Sequence, residues 1–104
     1  MTYMQPGQYY AIKPGRGGYD LKGMWFLAQE VLKNGSMRGL QVIWYDERRV
    51  PEKAKQTQID LHWAESWVET TESALGPKVA ARFRARTASV SRVAALYLQR
   101  APQE

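Results

Sequence analysis

The chain has 104 residues, no cysteine, and 15 Lys/Arg against 10 Asp/Glu, a formal net charge of +5. That length suits one domain with a limited core, and the lack of cysteine excludes a disulfide framework and thiol chemistry. No apolar run approaches the roughly 20 residues of a membrane span and no signal-peptide pattern opens the sequence, so the expectation is a cytoplasmic protein that does not bind membranes.

In chain order, Pro6 and Gly7 close a loose start, and residues 8–13 (QYYAIK) read as a short strand ended by Pro14 and Gly15. The loop Arg16, Gly17 and Gly18 holds glycines beside cations but lacks the spacing of a P-loop or a dinucleotide fingerprint. Residues 24–32 (MWFLAQEVL) fit two periods. Period 2 places Trp25, Leu27 and Val31 on one face, while Asp20 as N-cap and Asn34 and Gly35 as a stop would suit a helix. The next segment, LQVIWYD over 40–46, is strongly β in composition, and Lys33, Asn34, Gly35 and Ser36 are good turn chemistry. A hairpin is therefore the expectation.

Beyond a charged loop around Pro51, residues 57–63 alternate, with Thr57, Ile59, Leu61 and Trp63 to one side and Gln58, Asp60 and His62 to the other. That pattern predicts a half-buried strand. Residues 64–75 fit either a strand end or a helical turn. Pro77 suits the first position of a helix, and Val79, Phe83, Val90, Ala94 and Tyr97 then share one side at 3.6 residues per turn, with Val93 at its edge.

Charge is unevenly placed. Residues 1–73 hold nine basic and nine acidic side chains, whereas Lys78, Arg82, Arg84, Arg86, Arg92 and Arg100 stand in 74–100 with no acid between them. The division expected is a β-rich aromatic part over 1–73 and a basic helical segment over 74–104, packed on it or appended to it.

The strand pattern carried by Trp25, Ala28, Val31, Val42, Trp44 and Tyr45 resembles small SH3-like barrels, with Tudor, chromo-barrel and BAH domains as the nearest likeness. The resemblance covers residues 8–68. It implies an α+β fold, a small antiparallel SH3-like β-barrel or curled sheet followed by one or two C-terminal helices. It also implies a candidate aromatic rim of Tyr9, Tyr10, Trp25, Trp44, Tyr45 and Trp63, of the kind that cages a methylated cation. Core and covering duty for the same side chains is the alternative.

Residues 76–95 (GPKVAARFRARTASVSRVAA) resemble the helix-turn-helix of Lac-repressor-type regulators. Val79, Ala80, Phe83, Ala85, Val90 and Val93 match the apolar and small positions of that motif, whereas Arg84 stands where it has a turn glycine. The resemblance implies base-reading positions at Thr87, Ala88 and Arg92, with Arg82, Arg84 and Arg86 on phosphates, and a homodimer on paired half-sites. One continuous amphipathic helix uses the same apolar residues and remains the alternative.

Either way the acid-free run of cations, with Lys78 and Arg100 at its ends, points to phosphates or to an acidic protein surface. His62 is the only histidine, and no metal-ligand spacing occurs. The expectation is a non-enzymatic module without a cofactor that binds nucleic acid, DNA before RNA, as a regulator of phage, plasmid or bacterial type. The other expectation is a protein-interaction module that grips or blocks a partner through the aromatic surface.

Overall fold

The computed structural model describes residues 4–18 and 20–100, with side chains of the last helix described as far as Ala88. The described strands are β1 (Tyr9–Ile12), β2 (Leu21–Val31), β3 (Met37–Tyr45), β4 (Lys55–Ile59) and β5 (Trp67–Thr70), with a 3-10 turn at Leu61–Ser66 between the last two. Two helices follow, α1 (Glu72–Leu75) and α2 (Pro77–Arg100). The strands pair antiparallel in the order β4-β3-β2-β1-β5, so the fold is α+β with an open five-stranded sheet.

Residues 24–32 take the extended form. Trp25 pairs with Val42 and Leu27 with Leu40, and the hairpin turns where Asn34 accepts the Ser36 N–H at 3.0 Å and Gly35 adopts φ 86°. Glycine has no Cβ to oppose that angle. Both faces of the hairpin are covered. Leu40, Val42 and Trp44 join Val79, Ala80 and Phe83 of α2 under one face, with Tyr9, Trp25 and Leu27 packed against them. Tyr10, Phe26, Ala28, Met37 and Trp67 form a second core on the other face, against which Ile12, Met24 and Ile59 pack.

That second core draws side chains from both edge strands, Ile59 of β4 and Trp67 of β5. The sheet does not close on itself. At Gly39 the backbone of β2 comes especially close. A Cβ there would run into the Leu27 carbonyl oxygen and stand 2.7 Å from the Phe26 ring.

Two expectations need correction. The alternation over 57–63 ends at Ile59, because Asp60 opens the 3-10 turn by accepting the Trp63 N–H at 2.9 Å. Leu61, His62 and Trp63 are consequently exposed rather than half in a strand. Val31 does not share the face of Trp25 and Leu27 as a covered residue. A register shift between Ala28 and Glu30 precedes it, and it is 55% exposed. Of the two forms open for the basic segment, the backbone takes one: α2 is a single helix of 24 residues, helical through residues 84–86 where a turn would fall.

Residues 64–75 resolve into the end of the 3-10 turn, β5 and α1. Thr71 caps α1 by accepting the Ala74 N–H, and Gly76 at φ 84° separates the two helices. Pro77 then occupies the first position of α2, where the missing N–H goes unneeded.

Two substitutions test this packing by urea unfolding. Gly39→Ala lowers stability by about 1–3 kcal/mol, the usual range for overpacking. Phe83→Ala, at a fully buried site, lowers it by about 3–5 kcal/mol.

Candidate nucleic-acid interface

The cations expected to meet phosphate divide by what they touch. Lys78, Arg82 and Arg86 are spaced four residues apart, so they form one stripe along α2. The loop that leaves β3 runs alongside this stripe in step with it. Lys78 Nζ donates to the Arg49 carbonyl at 3.1 Å, and Arg82 Nε donates to the Pro51 carbonyl at 3.1 Å. Arg84, on the opposite flank, is ion-paired to Glu72 at 2.7 Å, both partners being largely exposed. Such a pair contributes at most about 1 kcal/mol.

Past Phe83 the helix leaves the sheet. Residues 84–88 are all exposed, and five successive helical residues cover every direction around the axis. Thr87 and Ala88 lie in that stretch, Thr87 Oγ1 donating to the Phe83 carbonyl at 3.0 Å. Such back-bonding satisfies the hydroxyl within the helix. The side chains of Arg92 and Arg100, and of Val90, Val93, Ala94 and Tyr97 on the predicted apolar side, fall outside the described residues. The radius of gyration, 15.4 Å, exceeds the roughly 13 Å of a compact domain of this length.

The aromatic residues predicted to form one rim divide: Tyr9, Trp25 and Trp44 share the core beneath α2, and the others lie apart from it. Tyr9 and Trp25 pack against the core beneath α2, with Tyr9 edge-on to Phe83 at 5.3 Å between ring centroids. Tyr10 belongs to the opposite core, its hydroxyl accepting the Gln5 N–H at 2.6 Å. Trp44 is buried, donates Nε1–H to the Arg48 carbonyl at 2.8 Å, and is flanked by Lys22 at 3.8 Å and Lys78 at 5.6 Å from its ring. Tyr45 has the Arg48 guanidinium over its ring. Only Trp63 of the six is mostly exposed, at 56%, and it lines a hollow with Ile12, Ile59 and Trp67 on the side of the sheet away from α2.

Sequence reasoning missed the loop over 48–53 as part of the basic surface. Its three bases and one acid follow directly on Asp46 and Glu47, so that the stretch 46–53 carries no net charge, and its contact with α2 joins positions about thirty residues apart. Among the described residues no group of three or more His, Cys, Asp or Glu could hold a metal ion. Among them, too, no helix is long and apolar enough to cross a membrane.

Burial raises the ionisation range of the Tyr9 phenol; nearby Glu72 adds to this and Arg84 opposes it. Burial likewise raises Tyr10, with Glu69 adding and the hydrogen bond from Gln5 opposing. Both phenols therefore stay protonated in the fold at a pH where the unfolded chain ionises them. Their contribution to stability is complete below the ordinary tyrosine pKa of about 10 and is lost as pH rises through the raised folded values. Stability measured from pH 8 to 11.5 should fall above about pH 10, and Tyr9→Phe should flatten that fall without altering the value at pH 8 by more than about 1 kcal/mol. A comparison with protein families, curated proteins and solved structures found no match to the chain, so its functional reading rests on the geometry above.

Proposed function

We propose that this protein is a non-enzymatic nucleic-acid-binding module that uses α2 on duplex DNA. The observation that carries the reading is the course of α2. An acid-free helix emerges from the sheet exposed on every side over 84–88. A helix about 36 Å long with side chains about 10–12 Å across fits the major groove. Mixed charge would be expected of a face that only meets water, whereas cations alone match a polyanion. On this reading Arg84, Arg86, Arg92 and Arg100 meet phosphates, Thr87 and Ala88 lie where base edges are reached, and Lys78 and Arg82 hold the helix at its angle.

The test is a fluorescence-anisotropy titration with random duplex DNA. Neutralising four phosphates predicts an affinity that falls about a hundredfold between 50 and 200 mM salt. Changing Arg86, Arg92 and Arg100 together to Gln should abolish most of this binding while leaving the thermal unfolding midpoint within a few degrees. Tighter binding to single-stranded RNA than to duplex DNA would instead favour RNA. No binding at 50 mM salt would remove the nucleic-acid reading.

A second reading has its own observation. Exposed Trp63, flanked by Leu61 and His62 in the 3-10 turn, stands beside a hollow of about 520 Å³ lined by Ile12, Ile59 and Trp67. Exposed tryptophans are enriched among the residues that dominate protein interfaces. This surface suits a protein partner that meets the module away from α2. Trp63→Ala should leave DNA affinity within a factor of two, and loss of DNA binding in that variant would argue against separate surfaces.

A further inference from the structure

The step between α2 and the loop has a third rung, and it differs in kind from the first two. Lys78 reaches the carbonyl of Arg49 and Arg82 that of Pro51. One turn further along the helix, Arg86 meets no carbonyl among the described residues. It faces instead a hollow of about 290 Å³ lined by Lys53, Ala54, Arg82 and Ala85.

Three cations therefore surround one small space, and no acid lines it among the described residues. Like charges so placed repel each other, and a site of this kind is destabilised until an anion enters it. The surrounding parts are held in place. Pro51 and Ala54 are buried, and the Glu52 N–H donates to the Ile43 carbonyl at 2.9 Å, which ties the loop to β3. Arg82 is half-buried, and its Nε–H is committed to Pro51, which leaves both terminal amino groups for an anion. The two alanines form a low floor where longer side chains would fill the hollow.

We propose that this hollow is a seat for one phosphate group of a nucleic-acid backbone, held by Lys53, Arg86 and the terminal amino groups of Arg82. The inference rests on the nucleic-acid reading and adds a defined contact to it. The anion completes the third rung, so the loop residue Lys53, which no run of charge distinguishes in the sequence, becomes part of the interface. A planar guanidinium anchored at Nε presents its remaining N–H groups as a fork that matches two phosphate oxygens. Because the loop and α2 both contribute, the bound phosphate fixes where along the backbone the helix begins its contact.

The test compares wild type, the Lys53→Gln/Arg86→Gln double variant and Lys33→Gln, a control on the β2–β3 turn, for binding to random duplex DNA across salt. The expected result is an affinity about tenfold or more lower for the double variant at 0.1 M salt. Its plot of log K against log salt should be less steep by about 1, as one lost phosphate contact requires. Lys33→Gln should match wild type. A double variant that binds as wild type does, with the same salt slope, overturns the seat and leaves the helix reading in place.

A second measurement uses inorganic phosphate, read as the shift of the Lys53 and Arg86 side-chain signals by NMR in wild type. Shifts that saturate with phosphate but not with equal ionic strength of chloride support the seat even if duplex DNA fails to bind. In that case the anion is a free phosphate and the nucleic-acid reading is lost. Failure of both DNA and phosphate to bind overturns the seat together with that reading. Binding of an acidic peptide in preference to both overturns it in favour of a protein partner.

Discussion

The structure depends on the seating of Val79 and Phe83 against one face of a sheet that is too small to be stable with that face bare. Five short strands offer Leu40, Val42 and Trp44 on that side, with Tyr9, Trp25 and Leu27 around them, and α2 covers them. Sheets need a covering layer on each apolar face. Here the second face gathers a core from the side chains of its own strands and Met4, and one helix covers the first. That economy leaves residues 84–88 of α2, all of them exposed, without a packing role on the sheet. It also explains why a helix with six cations is tolerated: two of them dock it, one is paired with an acid, and the core beneath its first turns does not depend on the others.

How much of this was legible in the sequence varied with how local the cause was. The β2–β3 hairpin was readable because Asn34 and Gly35 determine a turn by their own conformational chemistry, and because β-branched and aromatic residues follow. Gly76 and Pro77 marked the start of α2 for the same kind of reason. The strand predicted to continue to Trp63 was not, since alternation cannot show that the chain must turn at Asp60 to cross from one sheet edge to the other. Val31 went astray through a register shift that depends on the partner strand.

The site was legible in charge but not in arrangement. The acid-free run identified α2, yet the tasks of its cations depend on a loop thirty residues away whose cations are offset by the preceding Asp46 and Glu47. The aromatic residues misled in the opposite direction. Tyr9 and Tyr10 are neighbours in sequence and lie in different cores, because adjacent strand residues point to opposite faces and both faces here are covered. An aromatic-rich sequence offers a shared rim only where one face is left open.

The bracing of α2 has a mechanical consequence. Lys78 and Arg82 hold one flank to the loop, the ion pair of Arg84 with Glu72 holds the other, and Phe83 anchors the axis between them. The helix is thereby a cantilever clamped over its first two turns. A load applied near its outer end is borne as torque at the clamp and passes through the Arg48 carbonyl and the indole of Trp44 into the middle of the hairpin. The direction in which the beam leaves the sheet is thus determined by the body.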